Sequence, residues 1–140
     1  MKIHLTLDTW DVQKSAAEVI RYDVFVIEQN VPVVMEWDEM DAVSLHAIAY
    51  DEGDEVVGTG RLLPDGHIGR MAVTKSQRGA GIGSVILQAL MQEAQRRGDR
   101  SVVLHAQVQA EAFYARFGFV REGDVFMEAG IAHVCMRRVL

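Results

Sequence analysis

The spacing of hydrophobic residues changes along this chain, and each spacing predicts a different kind of secondary structure. Apolar residues that alternate with polar ones, or that run together between turn residues, are typical of strands. The predicted strands are residues 3–7, 45–50, 55–63, 68–73, 101–106, 119–121 and 132–139. Apolar residues three and four positions apart predict helices at residues 10–27, 81–97 and 109–117. The apolar face of the second helix is formed by Ile82, Val85, Ile86, Ala89, Leu90 and Ala94.

These elements follow the order β-α-β-β-β-α-β-α-β-β, which interleaves helices with strands and predicts an α/β fold with a mixed sheet. Residues 51–54 predict a tight hairpin between the second and third strands. Residues 29–44 are expected to be irregular, and a long connection is expected between the last two strands. A chain of 140 residues can enclose one hydrophobic core, so we expect a single domain over residues 1–140.

The formal net charge of −6 is divided unevenly along the chain. Residues 1–65 contain 4 Lys and Arg against 14 Asp and Glu, whereas residues 66–121 contain 8 against 3. The acidic balance argues against a nucleic-acid partner, because proteins that bind nucleic acid usually present a basic face. The basic middle segment contains a glycine-rich turn, and its charge favours an anionic ligand at that turn.

No run of apolar residues approaches the ~20 that cross a bilayer, and the first residues lack the apolar segment of a secretory signal. We therefore expect no membrane partner. The sequence has one cysteine, Cys135, so an internal disulfide is excluded. Cys135 lies in an alternating apolar stretch, where a packed and unreactive thiol is the expected role. Together these features favour the cytoplasm, where thiols stay reduced.

The glycine-rich turn is Arg78-Gly79-Ala80-Gly81-Ile82-Gly83, and it separates a predicted strand from a predicted helix. Glycines let backbone amides approach an anion, and the helix start adds the positive end of its dipole. Arg78 and Lys75 can add positive charge. The P-loop motif is absent because no lysine follows the glycines, and the dinucleotide motif fails because Ser84 stands where its third glycine belongs. On these residues alone, glycines that only shape a tight turn remain an open alternative.

Two segments carry a family resemblance. The turn, entered from Met71-Ala72-Val73, resembles the acyl-CoA pyrophosphate loop of the GCN5-related N-acetyltransferases, the GNAT superfamily. The segment Phe113-Tyr114-Ala115-Arg116-Phe117-Gly118-Phe119 resembles that family's short helix with an aromatic pair before Gly-Phe. Residues 21–46 and 126–133 are similar to the ElaA/YjcF-type branch. The resemblance implies the acyl-CoA N-acyltransferase fold and acetyl transfer from acetyl-CoA to a primary amine by direct attack, with no metal.

The resemblance also implies how acetyl-CoA is held. Backbone amides of residues 79–84 would meet the pyrophosphate, and residues 71–73 would pair with the pantetheine arm. Gln107 stands where many members carry an asparagine that bonds the same arm. The residues predicted to bind the coenzyme are Met71, Ala72, Val73, Arg78, Gly79, Ala80, Gly81, Ile82, Gly83, Ser84, Gln107, Phe113 and Tyr114.

Tyr114 is the predicted general acid, because its phenol could protonate the departing thiolate. The general base is less well defined, since the strand before the glycine turn lacks the carboxylate that many members use. His67 at the start of that strand is a candidate, because histidine titrates near neutral pH. Glu28 and His133 are also candidate catalytic residues. Further candidates are Glu36, Asp38, His46 and Glu128, and a chain of water molecules or a desolvated, neutral amine is also open.

A local acidic group precedes the second strand and consists of Glu28, Glu36, Asp38, Glu39 and Asp41. If it lines the acceptor site, it would attract a cationic amine on a small molecule or a peptide. Trp37 is a candidate contact for a homodimer. Two alternative functions stay open: a non-catalytic module that binds acyl-CoA, which the missing strand carboxylate favours, and a nucleotide-binding oxidoreductase.

Overall fold

The protein forms a seven-stranded mixed sheet in the order β1-β2-β3-β4-β5-β7-β6. The structure is a computed structural model that describes residues 2–36 and 38–140. The strands are β1 (His4–Thr9), β2 (Leu45–Tyr50), β3 (Val56–Leu62), β4 (His67–Val73), β5 (Ser101–Gln107), β6 (Val120–Glu128) and β7 (Ile131–Val139). Trp37, the candidate homodimer contact, lies outside the described residues.

Helices cover both faces of this sheet. Within the described residues the α-helices are α1 (Trp10–Arg21), α2 (Val33–Glu36), α3 (Ile82–Arg96) and α4 (Glu111–Ala115). A π-helical segment, Tyr22–Glu28, continues directly from α1. Short 3₁₀ turns occupy Glu39–Val43, Lys75–Gln77 and Val108–Ala110. None of the helices in the described part of the chain has the length and apolarity to cross a membrane.

The core lies mainly between α3 and the sheet. The α3 side chains buried there are Ile82, Ile86, Leu87, Leu90, Met91 and Ala94. This stripe confirms most of the predicted apolar face, although Val85 is 40% exposed and Leu87 takes its place in the core. Each fully buried aliphatic side chain contributes about 1.5–3 kcal/mol to folding. On the opposite face, Ile20 and Val24 pack against Ala72 of β4.

β4 and β5 are the only parallel neighbours among the described strands, and they pair over a short distance. His67 pairs with Val103, and Ile68 pairs with Leu104. Beyond Leu104 the two strands separate, while β5 continues to pair with β7 as far as Gln107. The sheet therefore opens into a wedge at its centre, and the closed end of the wedge lies at Leu104.

A β-bulge lies on β4 just beyond that closed end. Thr59 pairs with Ala72 and Arg61 with Gly69, so two residues of β4 oppose one residue of β3. Arg70, inside the bulge, has a φ of +50°, a left-handed conformation that costs a non-glycine residue about 1–2 kcal/mol. Bulges of this kind turn backbone groups away from the regular ladder.

Three segments differ from the sequence-based expectations. The first predicted helix changes to π-helical geometry at Tyr22, and residues 29–44 contain α2 and a 3₁₀ turn. The prediction of a long connection before the last strand was wrong. β6 extends to Glu128, and Ala129 and Gly130 form a tight turn into β7 with φ values of +52° and +76°. β6 is an exposed edge strand, so its sequence lacks the apolar alternation that predicts a strand.

Candidate active site

A cleft of about 1100 Å³ lies at the wedge between β4 and β5. It brings together most of the residues singled out from the sequence. The predicted residues that line it are His67, Met71, Ala72, Val73, Arg78, Gly79, Gly81, Ile82, Gly83, Ser84, Gln107, Phe113, Tyr114 and His133. Two described residues that were also predicted, Ala80 and Glu28, are not among the lining residues. Clefts of this size accommodate small molecules and cofactors.

The glycine turn forms an open cradle at the start of α3. Gly79 and Gly81 have φ values of +88° and +84°, which glycine adopts without strain. A Cβ atom built on either residue would meet nothing within 4 Å, so open space lies in front of both. Gly83 differs because its Cβ would contact the Phe113 ring at 3.5 Å, an ordinary van der Waals distance. The left-handed conformation therefore accounts for the first two glycines and not for the third.

The residues of this cradle fit a diphosphate group. The first N–H groups of an α-helix have no intrahelical partner, and no side chain caps them at the start of α3. Such N–H groups together with the positive end of the helix dipole bind phosphate oxygens. The described structure thus supplies the donors that a coenzyme A pyrophosphate requires.

Arg78, predicted to bind the anion, is held by Glu28 in this structure. Its guanidinium donates to both carboxylate oxygens of Glu28, at 2.6 and 2.7 Å, and its Nε donates to the Val73 carbonyl at 3.1 Å. The hydrogen bonds from Arg78 lower the pKa of Glu28. A carboxylate with a lowered pKa and a committed cation is poorly suited to accept a proton from an amine.

Tyr114 lies in the cleft on α4, with its ring packed edge-on against Phe113 and Phe119. Burial raises the pKa of Tyr114 to about 12. Its hydroxyl is therefore protonated at neutral pH, and it has no hydrogen-bond partner among the described residues. A protonated hydroxyl on a residue that lines the cleft suits a proton donor.

Gln107 is positioned at the open end of β5 by two other amides. Its Nε2 donates to Oε1 of Gln29 at 3.0 Å, and its Oε1 accepts from Nε2 of Gln109 at 2.6 Å. The amide nitrogen of Gln107 is therefore bonded to the segment after the π-helix, and its amide oxygen is bonded to the 3₁₀ turn that follows β5. A pantetheine amide bonded by Gln107 would replace one of these contacts.

Ionisable side chains gather near the closed end of the wedge. His67 bonds Asp65 through Nδ1 at 3.0 Å, and the His67 and His105 rings meet edge to face at 6.1 Å. His105 bonds Glu128 through Nδ1 at 3.2 Å. His133 lies on the other side of Glu128, with Nε2 at 3.6 Å from a carboxylate oxygen.

Sequence reasoning missed His105, although one signal was present. His105 is the only charged or titratable residue inside the predicted strand 101–106, which is otherwise apolar apart from Ser101. A polar side chain in a central strand usually has a specific partner or function. In the structure it is half-exposed and lines the cleft.

The acidic group is largely neutralised by arginines. Asp41 is buried and accepts hydrogen bonds from Arg21 and Arg61, while Asp38 accepts from Arg61 and Arg70. Burial acts to raise the pKa of Asp38, but the hydrogen bonds and charge of Arg61 outweigh it and lower that pKa. Asp38, Arg61 and Arg70 border the cleft, so this wall presents paired charges rather than free carboxylates. The side chain of Glu36 lies outside the described part of the structure.

His46 has a structural role. Its ring is buried against Trp10 at 4.6 Å, and its Nε2 lies 2.9 Å from the carbonyl oxygen of Asp41. Burial lowers the pKa of His46. It is not among the residues that line the cleft. Across residues 2–36 and 38–140, no group of three or more His, Cys, Asp or Glu side chains is arranged to hold a metal ion.

The fold and the cleft define the class of this protein, and comparison with known proteins agrees. Residues 13–140 match the family described as acetyltransferase (GNAT) domain, so the chain belongs to the GNAT acetyltransferases. It is 41% identical over 130 residues to uncharacterized N-acetyltransferase YjcF of Bacillus subtilis (strain 168), covering 90% of this chain and 92% of that protein. It is 31% identical over 127 residues to protein ElaA of Escherichia coli (strain K12), covering 85% and 82%.

Solved structures show the same architecture. An acyl-CoA N-acyltransferase from Pseudomonas aeruginosa is 31% identical, with a TM-score of 0.88 over 99% of this chain and 100% of that one. The crystal structure of Escherichia coli ElaA is 27% identical, with a TM-score of 0.88 over 98% and 99%. The predicted mixed α/β acyltransferase fold and the predicted ElaA/YjcF-like branch are thus confirmed. The GNAT fold generally uses an acyl-CoA donor.

Proposed function

We propose that the protein transfers the acetyl group of acetyl-CoA to a primary amine, and that the amine attacks the thioester directly. The observation that carries this proposal is the continuity of the open glycine cradle with the wedge between β4 and β5. A diphosphate bound at Gly79 and Gly81 leaves its attached arm to run along β4 toward the closed end of the wedge. The thioester at the end of that arm would then meet the ionisable groups gathered there.

The β4 backbone supports the first chemical requirement, which is stabilisation of the oxyanion that forms when the amine attacks. β4 has no strand partner on the wedge side beyond Ile68, so its backbone amides there are available to a ligand. The bulge at Arg70 turns the local backbone away from the regular ladder. A backbone N–H aimed at the developing oxyanion typically contributes 10²–10³ in rate.

Tyr114 supports the second requirement, which is protonation of the leaving group. The C–N bond forms, the C–S bond breaks, and the sulfur takes a proton from the phenol. Since the pKa of Tyr114 is raised to about 12, its proton is present throughout the physiological range. The same raised pKa makes full transfer to a free thiolate unfavourable, so donation must accompany C–S cleavage. Tyr114→Phe should lower kcat and leave the acetyl-CoA Kd unchanged.

Direct attack is also favoured by the position of the cysteine. Cys135 lies on β7 in register with His105, and it is not among the residues that line the cleft. A covalent acetyl-cysteine intermediate would require a thiol that the thioester can reach. Among the candidate bases, Glu28 is committed to Arg78, which leaves the histidines near the closed end of the wedge as the better-placed groups.

The experiment that tests the proposal measures acetyl-CoA binding by calorimetry and CoA release with a panel of amines. We expect acetyl-CoA to bind, NAD(P) not to bind, and at least one primary amine to be acetylated. Binding without CoA release from any amine would favour the alternative of a non-catalytic acyl-CoA module. An acetylated Cys135 detected by mass spectrometry during turnover would contradict direct attack.

A further inference from the structure

His105 occupies a distinctive position at the closed end of the wedge. The last pair between the parallel strands joins Ile68 of β4 to Leu104 of β5. His105 is the first residue of β5 beyond that pair, and its side chain lines the cleft. A ligand arm that enters the wedge from the glycine cradle ends where the strands meet, and His105 lies at that point.

The ring of His105 has a defined orientation. Its Nδ1 lies 3.2 Å from Oε1 of Glu128, and its edge contacts the Phe126 ring with centroids 5.1 Å apart. A carboxylate can only accept, so Nδ1 is the nitrogen that carries the proton in the neutral ring. Nε2 is then the basic nitrogen, and it has no hydrogen-bond partner among the described residues. A carboxylate that fixes the tautomer of a histidine is a frequent arrangement for a general base.

The other two histidines of this region are less well placed to accept a proton. His67 lies on the paired part of β4, before the wedge opens, and it bonds the exposed turn residue Asp65. His133 donates from Nδ1 to the Ile131 carbonyl at 2.7 Å, and its side chain is 9% exposed. Its remaining nitrogen faces Glu128 at 3.6 Å instead of the open cleft.

The charged and titratable groups near His105 come from each neighbouring strand. They are His67 on β4 with its turn partner Asp65, Glu128 on β6, and His133 and Cys135 on β7. Arg70 and Asp38 border the same cleft. Glu128 is the carboxylate in direct contact with the ring, so it is the group that orients the His105 side chain.

We propose that His105 is the general base of the acetyl transfer and that Glu128 is its positioning residue. This inference rests on the proposed function. Nε2 of His105 accepts one proton from the acceptor ammonium and passes it to bulk water. The neutral amine then forms the C–N bond. As the amide forms, the nitrogen loses a second proton, which replaces the one that Tyr114 gives to the sulfur, so the products are the acetamide and the free thiol of CoA.

The first test is the substitution His105→Asn, because asparagine keeps a donor near the Nδ1 position and cannot take up a proton. With the best amine of the panel, we expect kcat at pH 7.5 to fall about 100-fold, the usual contribution of general base catalysis. The kcat of the wild type should fall as the pH is lowered, because a general base must be unprotonated to act, and the variant should not show that acid limb. The acetyl-CoA Kd should change less than twofold. His4→Asn, on the exposed β1, is the matched control and should retain wild-type kcat.

Glu128→Gln tests the positioning role. We expect kcat to fall about tenfold with little change in KM, because the carboxylate no longer fixes the orientation and the tautomer of the ring. A readout independent of turnover comes from long-range ¹H–¹⁵N NMR spectra of the histidine rings. They should show His105 with its proton on Nδ1 in the wild type and should lose that preference in Glu128→Gln.

Several outcomes would overturn the proposal. One is a His105→Asn variant that is folded by circular dichroism and keeps kcat and the acid limb, and His105→Gln serves as a second variant if the first does not fold. Another is loss of the acid limb in His67→Asn instead. A third is an Nε2-protonated tautomer of His105 in the spectra. If the wild type binds acetyl-CoA but acetylates no amine, the proposed function itself fails and this inference fails with it.

Discussion

Arg78 and Glu28 form a bidentate ion pair at the edge of the glycine cradle, with both N–O distances below 2.8 Å. The two residues are fifty positions apart in sequence. The pair joins the end of the π-helical segment to the turn that precedes α3. It occupies the guanidinium that the sequence assigns to a phosphate. A coenzyme that uses Arg78 must therefore compete with Glu28 for it.

We predict that Glu28→Gln tightens acetyl-CoA binding. Partly exposed ion pairs contribute at most about 1 kcal/mol, so freeing Arg78 should lower the Kd by up to roughly fivefold. Arg78→Gln should raise the Kd instead, because the cation is lost. Isothermal titration calorimetry with acetyl-CoA measures both changes. Weaker binding by Glu28→Gln would mean that Glu28 orients Arg78 toward the ligand and does not compete with it.

The two left-handed glycines of the cradle provide a second prediction. Gly81→Ala should destabilise the fold by about 1–2 kcal/mol, because φ at this position is +84°. It should also weaken acetyl-CoA binding, since a methyl group would occupy the open space in front of the backbone amides. Urea denaturation gives the first effect and calorimetry the second.

Gly83→Ala is the matched control in the same turn. Gly83 does not have a positive φ, and its added methyl would contact Phe113 at 3.5 Å without a clash. We expect Gly83→Ala to unfold at a urea concentration close to that of the wild type. Equal losses of stability in the two variants would contradict the conformational explanation for Gly81.

Much of the fold was predictable because patterns that are local in the sequence determine its helices and strands. The apolar stripe of α3, the glycine turn before it and the strand after it each satisfy a short-range rule, and together they fix the centre of the sheet. Tyr114 and the cradle were assigned to one site by the family resemblance and not by these rules, and both line the cleft. The two strands that flank the wedge, β4 and β5, and the glycine turn between them all lie between His67 and Tyr114.

The remainder depended on contacts between distant parts of the chain. The pairing of Glu28 with Arg78 and that of His105 with Glu128 join residues 50 and 23 positions apart, and no local pattern encodes either. The length of β6 was underestimated because an exposed edge strand does not need alternating apolar residues. The acidic stretch was expected to attract a cation, but arginines from α1, β3 and β4 converge on Asp38 and Asp41 only in the folded protein.

That convergence leads to a third prediction, for Asp41. Its carboxylate accepts from both Arg21 and Arg61, whose side chains are buried with it. Asp41→Asn should destabilise the protein by about 3–5 kcal/mol, because buried guanidinium groups lose the charge that compensates them. Glu111→Gln, which removes the exposed pair with Arg121, is the control and should leave the urea midpoint unchanged. A wild-type midpoint for Asp41→Asn would show that this network does not hold the acidic segment against the sheet.

Tyr114 provides the last prediction, which concerns the pH dependence of stability. Burial raises its pKa from 10.0 to about 12, so the folded protein holds the phenolic proton more tightly than the unfolded chain does. The stability that this proton contributes is complete below pH 10 and is lost as the pH rises from 10 to 12. In urea denaturation across that window, Tyr114→Phe should therefore lose less stability than the wild type does. Tyr22→Phe, at an exposed ring, should keep the wild-type slope. Parallel slopes for wild type and Tyr114→Phe would mean that the phenol is solvated, and a solvated phenol would not be the pre-positioned acid that the proposed mechanism requires.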